Sequence, residues 1–149
     1  MRYILNMWMV IRMSVMFKNN TMNVKNALNE KAIAYLYEAS GELLHEVQAN
    51  TRVDTGQLKG SWRYKVNEGD LESVIGSPLE NAIWEEFGTG EYAVGGNGRK
   101  GGWFYVDAKG KGHFTRGKKP QHGFKNAFDS IKDALIRRAE SILGEMGEE

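Results

Sequence analysis

The chain has 149 residues, no cysteine, and 20 basic against 19 acidic side chains, which leave a net charge of +1. This length is typical of a single domain. The lack of cysteine excludes a disulfide framework, an iron–sulfur cluster, a thiolate zinc site and a cysteine nucleophile. A nearly neutral chain is also unlike a general nucleic-acid or membrane binder, which relies on its bulk charge.

The first 21 residues are expected to lie outside the fold. Six of the seven methionines fall within residues 1–22, and Asn6, Arg12 and Ser14 interrupt an otherwise mostly apolar run. The run is too short and too broken for a membrane span of about 20 apolar residues, and it lacks the cleavage site of a secretory signal. Three interpretations stay open: a translated extension ahead of a start at Met22, a poorly ordered or partner-bound amphipathic arm, and a signal anchor.

Two long helices are predicted, one at each end of the remaining chain. Apolar residues recur close to every 3.6 positions from Asn23 to about Thr51 and again from about Gln121 to Leu143, which is the helical period. Gly144 fits the position just past the second helix. Residues 144–149 are predicted to form an acidic tail.

Between the helices the apolar period changes to two. Trp62, Tyr64 and Val66 alternate with polar residues, and a return strand at residues 71–77 completes a hairpin. A second hairpin is predicted from strands at residues 103–106 and 113–116. The pattern predicts one α+β domain over residues 22–143, in which an antiparallel four-stranded sheet of two hairpins packs against a long N-terminal and a long C-terminal helix.

The motifs that carry chemistry are weak in this chain. The G-x-G-x-x-G pattern at residues 96–101 precedes a strand, whereas a dinucleotide site needs it to open a helix. The histidines His45, His113 and His122 share no metal-ligand spacing. Glu85 and Glu86 are adjacent, so they point apart in any regular element and would not share a pocket. The sequence therefore predicts no catalytic, cofactor or metal site, and no enzyme.

The most basic stretch is residues 95–125, where eight basic side chains face Asp107 alone, a local charge of +7. Such a stretch, interleaved with aromatics, can bind phosphates and stack on bases. Lysines on flexible loops also keep a sheet edge soluble. We favour the second interpretation or a protein interface, and nucleic-acid binding stays open. The candidate partner-binding residues are Arg99, Lys100, Lys109, Lys111, Lys118 and Lys119.

Five motifs follow one another between about Met22 and Leu143. They are a V-D-T-G-x-L-x-x-S step at residues 53–61, G-S at 76–77, A-x-x-x-E-F-G-T at 82–89, a basic loop, and F-x-x-A-F at 124–128. Together they resemble the small head–tail joining or tail-completion (tail-terminator-like) proteins of long-tailed phages and prophages. The chain departs from the family's usual pattern at Asn81, where tyrosine is typical.

The resemblance implies a non-enzymatic structural protein without a cofactor. It would form a ring, expected to be a hexamer, that completes the tail or joins head and tail during virion assembly. The implied partners are further copies of the chain and the head connector and tail tube proteins, with no membrane and with DNA contact possible but not favoured. The implied location is the head–tail junction of the virion, after assembly in the cytoplasm of the bacterial host.

The first long motif is interpreted as a structural turn. Asp54 and Thr55 can accept backbone N–H groups and cap a short turn at residues 57–60. Gly56 can take backbone angles closed to other residues. Leu58 and Ser61 complete this motif.

The second long motif is interpreted as a candidate subunit interface. Trp84 and Phe87 offer large apolar areas beside Glu86, and Gly88 and Thr89 open the following loop. Apolar anchors with a polar rim suit an interface. The alternative, that Trp84 and Phe87 belong to the core, stays open.

Overall fold

The computed structural model describes residues 7–12 and 22–145, with side chains from residue 26 onward. The chain forms strand β1, helices α1 and α2, strands β2 and β3, helix α3, a short 3-10 turn, strands β4 and β5, and helix α4. Their bounds are β1 Met7–Arg12, α1 Met22–Asn50, α2 Gln57–Ser61, β2 Arg63–Asn67, β3 Glu72–Ser77, α3 Glu80–Phe87, the turn Gly90–Tyr92, β4 Trp103–Val106, β5 Gly112–Thr115 and α4 Gly123–Glu145.

The α+β class is confirmed, but the single four-stranded sheet is wrong. The β2–β3 hairpin and the β4–β5 hairpin form two separate antiparallel sheets. The two hairpins are separate because α3 follows β3, and because the segment after the second hairpin is hydrogen-bonded to the loop that follows α3. Thr89 N donates to Lys118 O at 2.9 Å and Glu91 N donates to Arg116 O at 2.8 Å. These bonds hold the strands beside the end of α3.

Strand β1 adds to the first sheet. It pairs antiparallel with β3 from Met7 opposite Ser77 to Arg12 opposite Glu72, so the strand order is β1-β3-β2. Six residues of the segment expected to lie outside the fold therefore form a strand, whereas residues 1–6 and 13–21 lie outside the described residues. Whether the domain needs this strand stays a prediction. Helix α4 extends through Gly144 to Glu145, two residues beyond its predicted end.

The core lies where α1 and α4 meet the first sheet. Trp62 and Phe124 pack with ring centroids 5.5 Å apart. In β2 the predicted alternation is observed, because Tyr64 and Val66 are less exposed than their neighbours. The buried residues of the main cluster are Leu43, Val47, Leu58, Trp62, Ile75, Ala82, Phe124 and Ala127.

Polar contacts hold α1 against its neighbours. The Tyr35 hydroxyl donates to Leu135 O of α4 at 2.5 Å, and burial raises the pKa of this hydroxyl. Arg138 of α4 donates to Glu38 of α1 at 2.6 Å and also to Glu42, whose carboxylate raises the pKa of the Arg138 guanidinium. The two long helices therefore pair through polar contacts as well as through apolar side chains.

Candidate functional site

The first long motif forms the turn from α1 into the first sheet. Gly56 precedes α2 with φ at 82°, a left-handed conformation that side chains other than glycine's rarely adopt. Gln57 N donates to Thr55 Oγ1 at 3.3 Å, which makes a local turn at the start of α2, whose N-cap residue is Gly56. Asp54, predicted to cap the same turn, lies exposed at the rim of an open cavity. Leu58 is buried in the main core cluster.

Ser61 connects the first long motif to the G-S motif. Its hydroxyl donates to Leu58 O at 2.7 Å and lies 2.7 Å from the hydroxyl of Ser77 at the end of β3. Ser77 Oγ also accepts a hydrogen bond from Leu79 N at 3.2 Å, just ahead of α3. Both serines are buried. Two motifs that are distant in sequence therefore meet in one hydrogen-bonded cluster.

Glu86 holds the start of α4. Its carboxylate accepts hydrogen bonds from Phe124 N at 2.9 Å and Lys125 N at 3.0 Å, and only 5% of the residue is exposed. The first backbone N–H groups of a helix lack partners within the helix, and a carboxylate there is also favoured by the helix dipole. Although Glu86 was grouped with the candidate interface, its side chain points into its own chain.

Gly88 and Thr89 fix the loop that follows α3. Thr89 Oγ1 accepts from Lys118 N at 2.9 Å, beside the backbone bond between the same two residues. The loop after α3 also passes close to the segment after β5. There a Cβ on Gly90 would stand 2.3 Å from Arg116 O, and one on Gly117 would stand 2.1 Å from Thr89 O. The two segments therefore pack backbone against backbone, which only glycine permits. A Cβ on Gly88 would likewise stand 2.8 Å from Lys118 O.

Helix α3, which the sequence period did not reveal, carries the two aromatics of the second long motif outward. Trp84 is 49% exposed and Phe87 is 47% exposed. They lie three residues apart, so they share one face of the helix, and Ala82 and Glu86 are the buried residues of the helix. In the isolated subunit Trp84 and Phe87 are therefore partly open to solvent.

An open cavity of about 470 Å³ separates the first long motif from α3. On the α3 side it is lined by Asn81 and Glu85, and Lys118 pairs with the Glu85 carboxylate there. Across the described residues, no group of three or more acidic or histidine side chains is placed to hold a metal ion.

The β4–β5 hairpin displays aromatic and basic side chains. Its turn is held by the Asp107 carboxylate, which accepts from Lys109 N and Lys111 N at 2.9 Å each and contacts His113 Nε2 at 2.8 Å. The hydrogen bond to His113 and the backbone N–H groups lower the pKa of Asp107. Phe104 and Phe114 lie opposite each other with ring centroids 4.9 Å apart.

All six candidate basic residues are exposed, but the structure divides them. Lys109 and Lys111 lie at the hairpin turn, whereas Lys118 pairs with Glu85 of α3. Arg99 lies over the Trp103 ring at 5.5 Å and Lys119 over the Tyr92 ring at 5.7 Å. Lys100 lies in the loop before β4.

The exposed apolar face of this hairpin was not predicted from the sequence. Phe104 is 81% exposed and Val106 is 68% exposed. The available signal was the run of four apolar residues at 103–106, because a two-stranded hairpin cannot bury both of its faces by itself.

The described residues thus form a small α+β module. The two long motifs stabilise turns within this module, and its exposed features are aromatic and basic side chains. No helix in this part of the chain offers an apolar stretch long enough to cross a membrane.

Part of this chain matches a known protein family. Residues 16–88 match the model of the HK97-gp10-like family, described as "Bacteriophage HK97-gp10, putative tail-component". The match confirms the resemblance to phage tail-component proteins over residues 16–88. No curated protein and no solved structure gave a significant match. The matched segment ends at Gly88, so the basic hairpin and α4 lie beyond it.

Proposed function

We propose that the protein is a non-enzymatic structural component of a phage or prophage that forms a ring, completing the tail or joining head and tail. The observation that carries the proposal is the match of residues 16–88 to a phage tail-component family. The exposed Trp84 and Phe87 support it, because half-exposed aromatics on one helical face suit a subunit interface.

A ring sets a geometric requirement on each subunit. Its contacts are heterologous, so one surface of a subunit fits a different surface of the next. We propose a hexamer with the head connector and the tail tube as further partners, located at the head–tail junction of the virion after assembly in the host cytoplasm. The face of Trp84 and Phe87 supplies one candidate contact.

Nucleic-acid binding is the second candidate function, favoured by the charge of +7 over residues 95–125. The cation–π contacts argue against it. Arg99 and Lys119 lie over Trp103 and Tyr92 of the same chain, so these ring faces are already in use and are less open to bases. We therefore assign the basic loops to acidic surfaces of protein partners.

The experiment that separates the two functions changes Lys109, Lys111, Lys118 and Lys119 to serine. The variant should fold, because three of the changes are ordinary surface substitutions and the fourth removes the Lys118–Glu85 ion pair, a kind of surface pair worth at most about 1 kcal/mol. It should join heads to tails poorly in vitro. A control with the same change in net charge replaces the exposed Lys31, Lys59, Arg63 and Lys65 by serine. Normal joining by the quadruple variant would contradict the assignment to protein partners.

The same proteins are titrated with duplex DNA at two salt concentrations. If six basic residues neutralised six phosphates, the log–log salt slope would be about −5. We expect only weak, non-specific binding by the wild type. A steep slope that the quadruple substitution reduces to about −2, the value for two remaining contacts, together with normal joining, would favour the nucleic-acid function.

The interface on α3 is tested by Trp84→Ser and Phe87→Ser. Both should lower the fraction of protein assembled into rings, measured by native mass spectrometry. Tyr37→Ser is the control, because Tyr37 is similarly exposed at 44% but lies on α1. Assembly that Tyr37→Ser lowers as much as the α3 changes would argue against a specific α3 contact.

A further inference from the structure

The β4–β5 hairpin has one apolar face that its own subunit leaves largely uncovered. Phe104, Val106 and Phe114 share this face, because residues two apart on a strand point the same way and Phe104 lies opposite Phe114. Their exposed fractions are 81%, 68% and 51%. We name these three residues the hairpin face.

The charges around the hairpin face are positive. Lys109 and Lys111 lie at the turn, and residues 95–125 carry +7 in total. The whole chain carries +1, so the remaining residues carry 1 minus 7, or −6. The rest of the chain is therefore acidic in total. A second copy of the chain can pair with the hairpin face at a place where acidic residues flank exposed apolar ones.

Helix α4 offers such a place. Ile136 is 53% exposed and Leu143 is 37% exposed. Asp133 and Glu140 lie three residues before them, and Glu140 also lies four residues after Ile136. The spacings of 3, 4 and 3 place these four residues on one face of the helix. Asp129 and Lys132 lie on the same side of the helix and pair with each other. The four residues are all exposed, and we name them the α4 stripe: Asp133, Ile136, Glu140 and Leu143.

We propose that the hairpin face of one subunit docks on the α4 stripe of the next. Within one subunit both surfaces are exposed, so they do not cover each other. Across two subunits, the apolar side chains meet while Lys109 and Lys111 approach Asp133 and Glu140. The contact is heterologous, as a ring requires. The inference therefore rests on the proposed function, and it identifies both sides of one contact between subunits in addition to the α3 face.

A disulfide trap tests the geometry directly, because the chain contains no other cysteine. Val106→Cys and Ile136→Cys proteins are prepared separately, mixed at high concentration and oxidised. The expected product is a covalent dimer formed in the mixture, with little in either protein alone. Native mass spectrometry of unoxidised wild type gives the assembly state in parallel.

The possible outcomes distinguish the hairpin–α4 contact from ring formation in general. Rings without the mixed disulfide would overturn the hairpin–α4 contact and leave the ring intact. Dimers formed by the Val106→Cys protein alone would replace it with a two-fold hairpin–hairpin contact. A wild type that stays monomeric at its highest soluble concentration, with no mixed disulfide, would overturn the contact and the self-assembled ring together.

A charge exchange tests the electrostatic part. Changing Lys109 and Lys111 to glutamate should weaken assembly at least about tenfold, because like charges then face each other. Adding Asp133→Lys and Glu140→Lys to the same chain should restore it. The control, Lys59→Glu with Lys65→Glu, makes the same change in net charge on other exposed lysines. A folded charge-exchanged protein that does not recover assembly would contradict the proposed pairing.

Discussion

Glu86 has the most specific structural role of any single residue in the family motifs. Its carboxylate receives two backbone N–H groups of α4, and the residue is almost fully buried. A capping carboxylate normally comes from the residues next to the helix that it caps. Here it comes from a different helix, 38 residues earlier, so one side chain fixes α3 and α4 relative to each other.

Replacing this carboxylate should destabilise the domain measurably. We expect Glu86→Ala to lower the free energy of unfolding by about 1–2 kcal/mol, since the first N–H groups of α4 lose their acceptor. The matched control is Glu80→Ala, an exposed glutamate in the first turn of α3, expected within about 0.5 kcal/mol of wild type. Urea unfolding gives both values, and equal losses would contradict the capping role.

The Ser61–Ser77 pair makes a second prediction at this scale. Ser61→Ala and Ser77→Ala should couple by about 0.5–1.5 kcal/mol in a double-mutant cycle, because each hydroxyl is buried and the two lie 2.7 Å apart. Ser40→Ala is a suitable control partner, since Ser40 hydrogen-bonds Ser73 instead. Its effect should add to that of Ser61→Ala within about 0.5 kcal/mol. Additive effects of Ser61 and Ser77 would show that their contact contributes nothing to stability.

Among the elements, the turn of the β4–β5 hairpin depends on an ionised carboxylate. The hydrogen bond to His113 and the backbone N–H groups lower the pKa of Asp107 below its ordinary value of 3.8. A lowered folded-state pKa means that the stabilisation is present above that ordinary value and is lost as the pH falls through the lowered one. The turn is therefore expected to stay formed at neutral and mildly acidic pH.

An NMR titration of the Lys109 and Lys111 amides measures this dependence. Their chemical shifts should change only below about pH 4, the ordinary range of an aspartate carboxyl. Asp107→Asn should remove this transition, because no proton is then taken up at that position. A transition in the wild type centred above pH 4 would show that the carboxylate is not held as the geometry indicates.

The long elements could be predicted from the sequence, but their connections could not. Helices α1 and α4 follow from periods that persist over many residues, whereas the hairpins follow from short strand-like segments on either side of a turn. Helix α3 spans only Glu80–Phe87, too few turns for a period to be distinguished from chance. The prediction of a single sheet was wrong for a related reason. The alternation of residues in a strand shows which face is buried, but it does not show which other strand pairs with it.

The site was predictable in part for the same reason. The turn at Gly56 and the buried Leu58 follow from local residue types. The Glu86 cap and the Thr89–Lys118 contact span 38 and 29 residues, and nothing in the local sequence specifies the partner. Asp54 is the opposite case. An aspartate at this position is suited to cap the turn, but the structure leaves Asp54 exposed.

For the whole molecule, the boundary at Met22 leads to a stability prediction. Removing residues 1–21 exposes the edge of β3 that pairs with Met7–Arg12, but water can replace backbone hydrogen bonds at a small net cost. The cluster of Leu43, Trp62, Ile75 and Phe124 lies in the part of the chain that is kept. We therefore expect a chain starting at Met22 to fold.

Thermal unfolding of the two chains tests this boundary. The midpoint should fall by less than about 8 °C, the scale of a 1–2 kcal/mol loss in a domain of this size. A larger fall would show that β1 is an integral part of the sheet. The comparison is made at equal protein concentration, because assembly raises apparent stability by mass action.

The Glu86 contact also has a mechanical consequence. Helix α3 presents Trp84 and Phe87 outward and inserts Glu86 inward, so a neighbour that pulls on the outer face pulls on the cap of α4. If the α3 face forms the proposed contact, a load applied there would reach α4, about 35 Å long for its 23 residues, and through Arg138 it would reach α1. Hydrogen bonds therefore connect the proposed contact on α3 to the two longest helices of the domain.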